Sequence, residues 1–185
     1  MAADMQLVWT LSGPGWADCA ISDHQAEAEI EASYISTAPE DLLTAVARLV
    51  AGEAEVRVQF EAEPTAFRWI LYREGTDVWI RVLELADGSM HDNAGTEIWS
   101  SQQSIGTVAR AVVRCFDEVA RTYGESGYRG TWGEHFPRFE LEALREGPGT
   151  RAAPWTTPEP QPVDPPDPPD TPDPLDPHPP PTRAR

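Results

Sequence analysis

The chain has no lysine, only two cysteines in 185 residues, and no apolar run near the ~20 residues that cross a bilayer. Without lysine there is no residue to form a Schiff base or to hold a nucleotide phosphate in a P-loop. Cys19 and Cys115 are far apart, with no C-x-x-C and no cysteine–histidine cluster, so neither a disulfide framework nor a zinc site is indicated. Each reads as a small buried hydrophobe in a reducing compartment. No serine occupies a G-x-S-x-G elbow. Gly124, Gly127 and Gly130 lack the preceding strand and the following Lys-Ser/Thr that nucleotide-binding glycines require. Met1-Ala2-Ala3-Asp4 has neither the basic nor the apolar region of a signal peptide, which predicts a cytoplasmic protein.

Positive charge is scarce. Thirty-one acids face fourteen arginines, a formal charge of −17. Up to Ala153 the balance is 25 acids against 12 arginines, so the acidity belongs to the folding part and not to the C-terminal segment alone. A field of that sign repels phosphate backbones and anionic lipid, which argues against nucleic acid and membrane as partners. It suits a basic protein or simply keeps the chain dispersed.

Composition changes at Gly147-Pro148-Gly149. Fourteen of the nineteen prolines lie from Pro154 onward, in an Asp-Pro texture such as Asp164-Pro165-Pro166-Asp167. With almost nothing apolar to bury, residues 147–185 are expected to be a disordered, polyproline-II-rich tail, and residues 1–146 a single α+β domain.

Within that domain, Met5 to Leu11 and Trp16 to Ser22 read as strands around Gly13-Pro14-Gly15. From Gln25 to Ile35 the alternation is cleanest: Ala26, Ala28, Ile30, Ala32 and Tyr34 on one face, Glu27, Glu29, Glu31 and Ser33 on the other. Thr37-Ala38-Pro39-Glu40 has the spacing of a capping box before a first helix with Leu42, Leu43, Val46, Ala47 and Val50, stopped at Gly52. Further strands are predicted around Val56 to Phe60, over Phe67 to Tyr72 after Pro64, over Val78 to Leu85 after Glu74-Gly75, and over Thr96 to Ser100. Ser104 is expected to cap a second helix whose stripe runs from Ile105 to Tyr123 and ends at Gly124. An aromatic stretch from Tyr128 to Phe136 leads to a short helix over Phe139 to Arg145. The resulting expectation is an antiparallel sheet of about five to seven strands with two main helices packed on one face.

Few residues offer chemistry. His91-Asp92 forms a possible acid–base or metal pair in the Ala86–Gly95 loop, but no second histidine stands at ligand spacing, which favours a solvated loop. His135, between Glu134 and Phe136, sits in an aromatic knot expected to close the core. These residues define a cryptic hydrolase or metal enzyme as the weakest reading. No catalytic residue, cofactor or metal ligand is assigned.

Two sets suggest binding. Glu27, Glu29 and Glu31 repel one another at ~7 Å spacing. Either arginines on adjacent strands (Arg57, Arg68, Arg73, Arg81) neutralise them, or they form an acidic recognition stripe for a basic partner. Trp69 and Trp79 belong to strands with apolar residues on both faces. The second face is either covered by the chain's own segments, such as Tyr128 to Phe136, or left as a contact patch. The candidate partner-binding residues are therefore Glu27, Glu29, Glu31, Trp69 and Trp79.

Several elements, taken together, resemble a group of small uncharacterised α+β proteins common in high-GC actinobacteria. They are Ala32-Ser33-Tyr34-Ile35 leading to Asp41-Leu42-Leu43, Glu63-Pro64, the strand around Trp69, Val78 to Glu84, Gly127-Tyr128, Trp132 and Phe136-Pro137. That resemblance implies the fold and no site residues. In architecture, charge and lack of catalytic residues, the chain is also similar in type to immunity proteins of polymorphic toxins. The function expected is a non-enzymatic protein-binding module of immunity or antitoxin type, with a cytoplasmic regulatory or scaffold domain as the alternative.

Overall fold

The computed structural model describes residues 5–147; the Pro/Asp-rich segment from 148 onward, with the disorder expected of it, lies outside the described residues. All seven anticipated strands form: β1 (Gln6–Gly13), β2 (Trp16–Ser22), β3 (Glu27–Ser33), β4 (Glu55–Ala62), β5 (Thr65–Glu74), β6 (Asp77–Leu85) and β7 (Thr96–Ser104). They are antiparallel, and they divide into two sheets, β1-β2-β3 and β4-β5-β6-β7. The fold is α+β.

Tight turns set the register. Glu63-Pro64 separates paired Ala62 and Thr65, and Gly75-Thr76 separates paired Glu74 and Asp77. These hairpins place Val58 opposite Trp69, and Trp69 opposite Val82, so the three share the core face. In the first sheet Leu7, Trp9, Ala17, Cys19, Ile21, Ile30 and Ala32 face inward and are buried. β3 is shorter than the alternation suggested. Ala26 and Tyr34 fall outside it, and Tyr34 is exposed.

β3 also joins the two sheets. At one end the Ser33 hydroxyl donates to Glu63 at 3.2 Å and the Glu61 amide donates to Ser36 at 3.3 Å. At the other, the Trp99 indole donates to the Ala26 carbonyl at 3.3 Å, and Ser101 donates to Asp23 at 2.6 Å.

Helix α1 (Ala38–Val50) packs on β4 and buries Leu42, Leu43, Val46 and Leu49. Its N-terminus departs from a capping box: the Thr37 hydroxyl donates to Asp41 at 2.8 Å and caps no amide. Thr37 has ψ 44° rather than the extended backbone of a capping residue, and Pro39 has no amide to offer. The C-terminus closes as expected at Gly52, with the Gly52 and Glu53 amides donating to Leu49 and Arg48.

Ser104 caps α2 (Ile105–Trp132) by accepting from the Thr107 amide at 3.1 Å. Gly124 breaks the helix, with φ 64° and ψ 167°, but the chain resumes helical geometry and runs on to Trp132. The first stretch thus ends at Gly124 as expected; the second helical stretch, up to Trp132, was not anticipated. Tyr128 and Trp132, at i and i+4, give the second stretch its own core-facing stripe, and both are buried. Helix α3 (Arg138–Glu146) follows and buries Leu141 and Leu144 against its neighbours.

Trp9 is the hub of a single core. Its ring centroid lies 5.8 Å from Phe60, 6.0 Å from Phe116 and 5.5 Å from Trp132, and Phe60 in turn meets Trp69 at 5.7 Å. Edge-on and tilted packing of this kind adds to the burial of large aromatic area. The aromatic knot expected to close the core does so, through Tyr128, Trp132 and Phe136. Gly15, at φ 73°, brings the β1–β2 turn against the ring of Tyr34, where an added Cβ would come within 2.5 Å.

Candidate protein-binding surfaces

The outer face of the first sheet is acidic. Glu27, Glu29 and Glu31 project from β3 away from the core, opposite Ser22, Ala20 and Asp18 of β2. All three glutamates are exposed. No arginine stands across from them, and among the described residues none of the three is in an ion pair with a basic side chain. The four arginines considered as partners belong to the second sheet and are occupied there. Arg57 binds Glu55 at 2.8 Å and also Asp92. Arg68 binds Asp92 at 2.8 Å, Arg81 binds Glu97 at 2.6 Å, and Arg73 donates to the Leu49 and Gly75 carbonyls. The cross-strand lattice of ion pairs does not form, because the glutamates and arginines lie on different sheets.

The second sheet has two apolar faces, as its sequence suggested, and its outer one is half covered. The covering segment is the Ala86–Gly95 loop, not the Tyr128–Phe136 stretch. Arg68 clamps that loop, donating to the Gly88 carbonyl at 3.0 Å, the Met90 carbonyl at 2.9 Å and Asp92 at 2.8 Å. Beneath it Ala66, Leu83 and Leu85 are buried. Asp92 is held below the usual carboxylate range by hydrogen bonds from Arg68 and Arg57.

Beyond the loop the outer face is open. Tyr72 and Trp79 are direct cross-strand partners, 48% and 47% exposed. Trp79 is thus available to a partner. Trp69 is not: it is 1% exposed and packs on Phe60, so its candidacy as a contact residue is corrected by the register that turns it inward. Beside Trp79 a cavity of about 580 Å³ is lined by Asp23, His24, Arg81, Glu97, Ser100 and Gln102. Burial works against ionisation of Asp23, but the Ser101 hydroxyl and the Gln25 and Ala26 amides donate to it and hold its pKa low.

The residues considered for catalysis do not converge. His91 lines a shallow cavity with Arg57, Arg68, Asp92 and Asn93, while exposed His135 lies beyond α2 and is not part of it. Asp92 is engaged by two guanidinium groups, which makes it a poor proton acceptor. Among the described residues no group of three or more His, Cys, Asp or Glu side chains is placed to hold a metal ion. Cys19 and Cys115 are buried and unbonded; burial pushes both thiols up, Cys115 to about 12. No helix among the described residues is long and apolar enough to cross a membrane.

A polar cluster was not anticipated where α1, α2 and α3 meet. Among the described residues, Tyr128 Oη and Glu40 Oε2 are both buried without a hydrogen-bond partner. Burial, with Glu140, Asp41 and Glu134 nearby, pushes the Glu40 carboxyl up. Burial, with Glu40 and Glu134 nearby, does the same to the Tyr128 hydroxyl.

No protein-family model matches the chain, and no curated protein matches it. Among solved structures it is similar to a chain of the CdiA-CT/CdiI toxin and immunity complex from Enterobacter cloacae, at 13% identity. That match covers 62% of this chain and 96% of the other with a TM-score of 0.38, too weak a likeness to transfer a function.

Proposed function

We propose that this chain is a non-enzymatic protein-binding module of the immunity or antitoxin type that neutralises a basic protein partner. The observation that carries the reading is the unpaired carboxylate face of Asp18, Glu27, Glu29 and Glu31. Four like charges on one sheet face, without a counter-charge across the strands, cost stability in the free protein. A cationic surface laid on that face removes the repulsion. At long range the same charges steer the partner and raise the association rate. The exposed Tyr72–Trp79 pair supplies the kind of aromatic anchor that carries tight contact.

The test is co-expression with basic toxin domains encoded beside this chain's gene, scored by survival, followed by association kinetics with the toxin that is neutralised. Replacing Glu27, Glu29 and Glu31 together by glutamine keeps side-chain length and removes three charges. Association should slow about tenfold or more at low salt, with dissociation changing less. The difference should shrink above about 0.1 M salt, where charges farther than ~10 Å apart are screened. Unchanged association with every neutralised toxin would remove the acidic face from the mechanism. Failure to protect against any of them would end the immunity reading.

A further inference from the structure

The exposed end of the second sheet combines three features. Tyr72 and Trp79 stand side by side as cross-strand partners, each about half exposed. Glu74 follows Tyr72 on the same face of β5, and Asp77 precedes Trp79 on the same face of β6; the two acids are themselves paired across the hairpin. Gln102, opposite Trp79 on β7, donates one bond to Asp77 at 3.1 Å and leaves the carboxylate further acceptor capacity.

Arginines are close by but spent. Arg81, two residues past Trp79, is tied to Glu97, and Arg57 is tied to Glu55 and Asp92. Glu74 has no basic partner among the described residues. The aromatic pair therefore sits beside two carboxylates without compensating charge, on a chain whose overall field is negative.

We infer that Tyr72, Trp79, Glu74 and Asp77 form a receptor for an arginine side chain of the partner protein. The inference rests on the basic-partner reading above and names the group that the partner inserts. A guanidinium is flat and weakly hydrated, so it stacks on an indole or phenol face. Its fork of N–H donors matches a carboxylate in two parallel bonds. A sheet surface that sets two half-exposed aromatic side chains beside two carboxylates offers both kinds of contact. Lysine satisfies the charge but neither the stacking nor the fork.

The site is tested with the full 185-residue chain and two probes of equal charge, octa-arginine and octa-lysine. The readout is the indole N–H resonance of Trp79, assigned by its absence from the Trp79→Phe spectrum. Octa-arginine is expected to shift that resonance and the amides of Tyr72, Glu74 and Asp77, with octa-lysine shifting them much less at the same concentration. Trp79→Ala should weaken octa-arginine binding at this site, followed by the Asp77 amide, about three- to fivefold. Asp77→Asn should weaken it comparably, and Trp79→Phe, which keeps an aromatic face, by less. The E27Q/E29Q/E31Q variant should keep the Trp79 shift.

Shifts confined to Asp18 and the β3 glutamates would overturn the arginine receptor while leaving the basic-partner reading in place. Equal shifts from both peptides, or a Trp79→Ala variant that binds like the parent, would also overturn it. Absence of any shift in either region would sink both.

Discussion

Asp18 and Glu31 face each other across β2 and β3, and among the described residues neither is in an ion pair with an arginine. Like charges directly opposed on neighbouring strands destabilise a sheet, and opposite charges at the same spacing stabilise it by about 0.2–1 kcal/mol. Replacing Asp18 by arginine should therefore raise the melting temperature slightly and leave the fold unchanged. If the face is a recognition surface, the same substitution should slow association with the basic partner. A variant that gains stability and still associates at the parental rate would show that this carboxylate has no part in recognition.

Much of the architecture was legible because alternation and helical periodicity report burial directly. All seven strands and both main helices follow from patterns such as Val56-Val58-Phe60 and Ile105 to Tyr123. The orientation of Trp69 was less plain, because β5 is apolar on both faces. Yet the signal was present: the Glu63-Pro64 turn pairs Ala62 with Thr65, and counting back places Trp69 against Val58, on the face already fixed by clean alternation.

Other features depend on tertiary structure that one sequence does not carry. Whether the glutamates of β3 meet the arginines of β4 to β6 depends on the division into two sheets. The polar Ala86–Gly95 loop gives no local sign that it covers Leu83 and Leu85, since its attachment runs through carbonyls bound by Arg68. Glycine's freedom breaks α2 at Gly124, but only the burial of Tyr128 and Trp132 explains why the helix resumes.

Glu40 gives a pH test of the interior cluster. Its folded-state pKa is raised, by burial first and then by the charges of Glu140, Asp41 and Glu134. The folded protein thus holds this proton more tightly than the unfolded chain does. Stability is unaffected by Glu40 well below the ordinary glutamate value of about 4.3 and falls as the pH climbs through the raised folded value. The charge also interacts favourably with the α1 N-terminus, by about 0.3–1 kcal/mol, which works the other way. Burial and three neighbouring acids outweigh it, so Glu40→Gln should melt higher than the parent at pH 7 and match it near pH 3. A Glu40→Gln variant less stable at pH 7 would mean that the α1 N-terminus, including the Glu40 amide that donates to this carboxylate, outweighs burial and the neighbouring acids.

Arg68 decides whether the outer face of the second sheet stays covered. Its guanidinium holds two loop carbonyls, Asp92 and the side chain of Gln59, so Arg68→Met removes several charge-assisted bonds at once. The expected cost is about 1–3 kcal/mol. Hydrogen exchange should quicken across residues 86–95, and Leu83 and Leu85 should gain access to an apolar dye. Acid should imitate the mutation in part. Asp92 has a folded-state pKa below its ordinary value, so its share of the clamp is complete above about pH 4 and is lost as the pH falls through the depressed value. The parent protein should therefore lose loop protection on acidification, after correction for intrinsic exchange rates, whereas Arg68→Met should lose less, since only the Arg57–Asp92 pair is left to titrate. Full protection of residues 86–95 in Arg68→Met at neutral pH would show that apolar contact alone seats the loop and that the arginine is incidental to it.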